Sequence, residues 1–523
     1  MVGSDANDGL SKLTPWLTGN HALETTRGTT FDGDTLIFND GRYTYTENDG
    51  RCIYSHVNFE LAVENDWATT LFFDGISTQG LRFDGSDTEL RGLTVGRFIL
   101  EGSDNKLYVF YLRNSSVSSL LMSLNFSARF VVLPTAVDNQ TGLYLSATNM
   151  NVVVHDGGNI GVTPVKYRGI AVDDNVVPTK IDVDIRRWYF DLSCAMSGTQ
   201  GAVDIDFSAP NYAGSVSVQG VYGSITDTGT SSEVYGVHIR NGPDGSSITN
   251  CNDFHIESAT RRVCPFLIEA PTVDGIGCDN ALIAKNVRVT ADSLDGFLAV
   301  MGSEFEAHDL PNAIIENNEI RAVNTYGQNL HGICHIDCLD GIRRFNKVSG
   351  ASLASLTKLG SAISYGNEYR DVAGGFSKFL YAKGADAGTE FFNETCIVDS
   401  NFDGYVEQST RDIDTDKPSG LIGFRGNRIV KSGGGSLALT AILNLTGSST
   451  DASESISYGL TIDPGLTLPT VVAKYQSLSY ATIADANASA TIKAMAQNEA
   501  AELTVVSSGI LGPVIRPLLN FGG

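Results

Sequence analysis

In the stretch GSEFEAHDL, residues 302–310, two carboxylates stand two positions apart and a histidine follows two further on. On an extended strand alternate side chains share a face. Glu304, Glu306 and His308 would then point one way, and Phe305 and Ala307 the other. At strand rise the two carboxylates lie about 6.6–7 Å apart, near the spacing of about 6.5–9.5 Å that separates acid from base in an inverting glycosidase. A neighbouring carboxylate also raises a partner's proton affinity, as a general acid requires. The chemistry implied is glycoside hydrolysis, with Glu304 and Glu306 as the catalytic pair and His308 beside them. The same spacing recurs at Asp182/Asp184 and Asp204/Asp206, so the pattern also fits an ordinary solvated strand face in an acidic protein.

Three further stretches put polar side chains on an outward face. VHIR offers His238 and Arg240, FHIE offers His255 and Glu257, and HIDC offers His335 and Asp337. If these strands stack in register, the six residues form one polar stripe suited to hydroxyl-rich carbohydrate. HGICHIDCLDG also holds the close-set His331, Cys334, His335 and Cys338. Alternation sends Cys334, Ile336 and Cys338 to one face and His335 to the other, so imidazole and thiolate do not converge on one tetrahedral ion. The cysteines read as small core residues, and no transition-metal site is expected. Were the chain a polysaccharide lyase, which usually holds calcium through several oxygens, Asp173, Asp174, Asp182 and Asp184 could supply carboxylates for it; no other cofactor is expected. Nucleophile elbows, phosphate-binding glycine loops and paired-cysteine zinc patterns are absent from the sequence.

The elements that must position these residues are short strands. LYVFYLR from Leu107, NVVVHDGG from Asn151, KIDVDIRRWYF from Lys180, AVDIDFS from Ala202 and many later runs alternate apolar with polar residues. They are rich in Val, Ile, Phe and Tyr and are bounded by Gly, Asn and Asp. The clusters recur at irregular intervals of roughly 20–35 residues, as in repeat architectures rather than hairpin-built sandwiches. Several carry Asn at a corner: IENNEI, SYGNEY, FRGNRI and VDSNFDG. A stacked Asn can bond the backbone of the coil above and below. The pattern predicts an all-β coil of parallel strands, each turn burying its apolar row against the next. At about 25 residues per coil and about 4.8 Å between strands, about fifteen coils would form a rod on the order of 70 Å long. The inward rows should include Val183, Ile185, Ile239, Ile256, Cys334, Ile336 and Cys338.

Composition narrows the partners. The chain has 523 residues, with 36 Lys and Arg against 60 Asp and Glu, a net charge of −24. Such a field repels phosphate backbones, so nucleic acid is not an expected partner. No apolar run approaches the ~18 residues of a membrane span. The first fifteen residues are polar, without a basic n-region and apolar h-region, so no secretory leader is expected. Eight cysteines are too sparse for a disulfide framework.

The N-terminal VGSDANDGLSKLTPW, followed by FDGDTLIFNDGRYTYT, resembles the opening of right-handed parallel β-helix proteins of the pectate-lyase-like superfamily, phage tailspikes among them. The residues that carry the resemblance are Gly3, Ser4, Asp5, Asn7, Asp8, Gly9, Thr14, Pro15, Trp16, Gly33, Asp34, Thr35, Gly41 and Tyr43. It implies a right-handed parallel β-helix with a short N-terminal cap and first coil over residues 1–45 and the helix proper over 46–465. From about Leu466 the composition changes. Ile483–Val506 is Ala-rich with a helical stripe, and GPVIRPLLNFGG is apolar and Pro-bounded. Residues 466–523 are therefore expected to cap the rod or mediate assembly. The function that this resemblance implies is a virion spike or fibre: a homotrimer that recognises, and could depolymerise, a bacterial surface polysaccharide beside other virion proteins. A secreted polysaccharide lyase or hydrolase and a non-enzymatic adhesin are the alternatives, and the location is the virion or the extracellular space in each.

Overall fold

The computed structural model describes residues 33–46, 51–52, 58–74, 79–84, 92–103, 107–114, 122–132, 139–147, 149–173, 180–196, 201–207, 214–229, 233–243 and 245–269. Further on it describes 281–285, 287–293, 298–301, 310–311, 314–323, 331–349, 353–370, 375–385, 388–398, 402–410, 422–432 and short strands out to 507. The N-terminal stretch that carries most of the family resemblance lies outside these residues.

Among the described residues there is no helix, and the strands coil into a parallel β-solenoid. Among the described residues every pairing is parallel except that of Ala473–Tyr475 with Leu478–Tyr480. Three faces run along the rod. On the first, Gly92–Val95, Met122–Phe126, Asn149–His155, Lys180–Arg186 and Ser215–Gln219 lie side by side in order. On the second, Arg129–Val132 pairs with the start of Gly158–Asp173, which pairs with Tyr189–Ala195 and then Tyr222–Asp227. On the third, Gln140–Ala147 pairs with the end of Gly158–Asp173, followed by Gly201–Asp206, Glu233–Arg240 and the end of Phe254–Glu269.

Alternation explains the core. Lys180–Arg186 buries Ile181, Val183 and Ile185 and turns Asp182 and Asp184 outward. Parallel register then stacks like on like: Val152, Val183 and Val216 on the first face, and Leu145, Val172, Ile205, Ile239 and Ile268 on the third. Val183, Ile185, Ile239 and Ile256 are all buried, as alternation requires. The side chains of Cys334, Ile336 and Cys338 lie outside the described residues, within the strand His331–Arg344.

The corner between the first and second faces is a tight turn. Its first residue adopts left-handed φ, as at Asp156, Arg187, Gly220, Asn317, Phe345, Gly366, Asn393 and Gly426. Its second points into the core. In the N-terminal half that inner position is apolar or small, with Ala128, Gly157, Trp188 and Val221. In the C-terminal half it is Asn318, Asn346, Asn367, Glu394 and Asn427, all buried. The amides bond from coil to coil. Asn346 Oδ1 accepts from Asn318 N and Nδ2 at 3.0 and 2.7 Å, and Asn367 Oδ1 accepts from Asn346 N and Nδ2, both at 2.8 Å. The corner asparagines of IENNEI, SYGNEY and FRGNRI therefore do what the sequence suggested; Asn401 of VDSNFDG lies outside the described residues. Coil length varies from 21 residues, Asn346 to Asn367, to 33, Glu394 to Asn427.

Beyond Leu466 the described residues are strands. Val505–Ser507 pairs in parallel with Leu460–Ile462, so the last residues of the run read as helical from the sequence extend a sheet instead. The remainder of that run lies outside the described residues.

Candidate functional site

Glu304, Glu306 and His308 lie outside the described residues. The polar stripe divides between faces. His238 and Arg240 belong to the third face, whereas His255 and Glu257 stand half-buried on the second, in register with Ser224 and Thr226. His335 sits in a third-face strand in register with Val300 and Thr357, its side chain and that of Asp337 lying outside the described residues.

His238 is the larger surprise. It alternates with Val237 and Ile239, yet it is only 3% exposed rather than solvated. Asp204 and Glu269, from the coils on either side, reach Nδ1 and Nε2 at 3.1 and 3.3 Å, and the Tyr235 ring stacks on the imidazole at 4.9 Å. Burial works against the imidazolium, but the two carboxylates outweigh it and lift His238 to about 9. Asp204 is fully buried and also pairs with Arg168 at 3.2 Å. Asp206 receives Nε and Nη2 of Arg240 at 2.6 and 2.5 Å. Its register neighbour Asp173 is pushed up to about 6, chiefly by burial and further by Asp204 and Asp206, against the pull of Arg168 and Tyr144. Three tyrosines continue this cluster: Tyr108 lies 4.3 Å from Tyr144 and 5.3 Å from Tyr111, ring to ring. A carboxyl that holds its proton near neutrality beside stacked aromatic rings is equipped to act as a general acid.

A cleft of about 520 Å³ runs along the outside of the corner between the first and second faces. It is lined by Trp67, Arg97, Arg129, Asp156, Arg187, Tyr189, Tyr222, Asn250 and Asn252, with Gly157 and Gly220. The left-handed corner residues project Asp156 and Arg187 outward while Gly157 and Trp188 turn in. Tyr189 and Tyr222 begin successive second-face strands, and their rings meet at 5.2 Å. Arg129 lies over the Trp67 ring at 4.1 Å. At Arg187 the cleft joins a second groove of about 510 Å³ along the first face, lined by Asn58, Thr94, Ser123, Asn125, Asn151, His155 and Arg186 among others. Aromatic faces, amides, hydroxyls and guanidiniums in one elongated groove are what a polyhydroxylated chain needs, rings for its apolar faces and hydrogen-bond partners for its edges.

Sequence reading singled out none of these cleft residues, because they come from different coils and only the stack brings them together. Asp204 and Asp206 were visible as an alternating pair, but their partners, Arg168 and Arg240, sit a coil away on either side. Of the carboxylates considered for calcium, Asp182 pairs with Lys180 and accepts from Ser215 Oγ, Asp184 pairs with Arg186, and Asp174 lies outside the described residues. Among the described residues no three metal-ligating side chains converge. The fold and site thus define a parallel β-solenoid with a lateral groove. No protein-family model matches the chain, and no curated protein is similar to it.

Proposed function

We propose that this solenoid recognises an extended polysaccharide along its side, as a spike-, fibre- or adhesin-type protein, with the corner cleft as its principal site. The observation that supports the reading is the continuous groove in which Tyr189 and Tyr222 stand beside Asn250, Asn252 and three arginines. Tyr222 is 43% exposed, which leaves its ring accessible to a ligand in the cleft. Replacing it by alanine is expected to weaken binding to a responsive glycan by about 3–10-fold, the worth of one aromatic contact, with the circular dichroism unchanged. Calorimetric titration checks this, and undiminished binding by Tyr222→Ala would remove the cleft from the proposal. In the spike form the ligand is a bacterial surface polysaccharide, the setting the virion or the extracellular space, and the assembly a homotrimer alongside other virion proteins. Light scattering of the full chain would then give three chain masses, and a single chain mass would leave the adhesin form.

A hydrolytic reading attaches to the third face, where Asp173 is pushed up to about 6 beside Tyr108 and Tyr144. In that reading Asp173 protonates the leaving glycosidic oxygen, so the rate falls as pH rises through about 6. Asp173→Asn should cut hydrolysis by at least ~100-fold and leave binding at the cleft unchanged. A variant that cleaves as fast as wild type would make the cluster structural.

A further inference from the structure

The corner cleft carries a charge opposite in sign to the chain that forms it. Against the overall excess of 60 acidic over 36 basic residues, the charged side chains lining the cleft are Arg97, Arg129, Arg187 and the single carboxylate Asp156. That carboxylate is already taken. Arg187 donates Nε and Nη2 to it at 2.5 and 2.7 Å, and Arg97 approaches it at 3.9 Å. Arg97 is further paired with Asp66. Arg129 differs from both. Its guanidinium rests on Trp67, a contact that occupies no N–H donor, and among the described residues no carboxylate pairs with it.

We propose that the cleft selects a polysaccharide bearing acid groups, whose carboxylate or sulfate is taken by Arg129 while a sugar ring several units further along the same chain lies against Tyr222, three register steps and about 14 Å away at strand spacing. The proposal rests on the glycan-recognition reading and names the ligand class for the same cleft. Geometry supports an extended ligand. Arg97 and Arg187 occupy corner positions three coils apart, about 14 Å at strand spacing, with Asp156 between them holding both in place. A chain lying along the rod axis would pass successive guanidiniums, and each good guanidinium–acid contact is bidentate in kind. The strongly acidic remainder of the surface disfavours a nucleic acid, whose charge would be carried well beyond the cleft.

The test is calorimetric titration of the full chain with oligogalacturonate, dextran sulfate, unsulfated dextran and a poly(dT) oligonucleotide, repeated with Arg129→Gln and Arg129→Lys. Binding to oligogalacturonate or dextran sulfate that Arg129→Gln weakens by about tenfold, with partial retention in Arg129→Lys, is the expected result. Which of the two binds better distinguishes a carboxylate from a sulfate. Binding to unsulfated dextran that Arg129→Gln leaves unchanged would overturn the acid selectivity while the glycan reading stands. Absence of binding to all three polysaccharides would overturn both. Binding to poly(dT) alone, lost in Arg129→Gln, would reassign the cleft to nucleic acid. Circular dichroism identical to wild type in both variants keeps a folding defect from passing as lost recognition.

Discussion

Replacing Trp188 by alanine is expected to destabilise the solenoid by about 4 kcal/mol or more, the upper range for removing a buried aromatic ring. Among the described residues Trp188 is the largest of the fully buried side chains. Its ring lies on Gly157 so closely that a Cβ there would stand 2.3 Å from it. Its Nε1–H donates to Asn159 Oδ1 at 2.6 Å, and Asn159 in turn donates Nδ2 to Tyr167 Oη at 2.9 Å. Alanine leaves a cavity and strips Asn159 Oδ1 of a buried donor, two separable losses. Trp188→Phe keeps most of the volume and loses only the donor, so it should cost about 1–3 kcal/mol. Because each coil of a solenoid contacts only its neighbours, the damage stays local. Hydrogen exchange should quicken around residues 156–189, and the glycan recognition proposed for the cleft should weaken with it, since Asp156, Arg187 and Tyr189 line the cleft. A Trp188→Ala protein with wild-type urea unfolding would refute the packing described for this corner.

The sequence displays what is local and conceals what is stacked. The inward rows were legible because period-two alternation is a property of single strands: Val183 and Ile185 in KIDVDIR need no knowledge of a neighbour. The amide row was legible because Asn recurred at comparable corners. His238 was misplaced for the opposite reason. Alternation puts it on the outer row, but whether that row is solvated depends on Asp204 and Glu269, each a coil away. Coils of 21 and 33 residues in the same rod deny any fixed repeat from which register could be counted. Arg97, Arg129 and Arg187 meet around one cleft through just that unreadable register. The inner corner position shows the same limit, since nothing local marks Gly157 as the floor beneath Trp188.

Glu394 supplies the second large effect, a dependence of stability on pH. It stands in the amide row where the neighbouring coils carry Asn367 and Asn427, and it is fully buried. Oε1 accepts from Ser364 Oγ at 2.6 Å and from Asn367 Nδ2 at 3.0 Å, and Oε2 accepts from Asn367 N at 2.8 Å. The buried Arg343 is the cation that faces it, and Tyr369 lies close by. Burial is the largest influence and pushes the carboxyl up from 4.5 to about 7, over the opposing effect of Ser364, Asn367 and Arg343. Between those values the folded chain holds a proton that the unfolded chain releases. The contribution of Glu394 to stability is therefore complete below about pH 4.5 and declines as pH rises through about 7. A shift of that size corresponds to on the order of 3 kcal/mol. Glu394→Gln stays neutral throughout, so the difference in unfolding free energy between variant and wild type isolates this one group from the other carboxylates. At pH 8 the variant should be the more stable of the two. At pH 4.5 the order should close or reverse, because the amide sets an N–H among donors from Ser364 and Asn367. Urea unfolding at the two pH values measures both differences. A wild-type protein that instead gains stability over Glu394→Gln as pH rises would show that Arg343 and the three donors keep the carboxylate ionised, and the sign assigned here would fall.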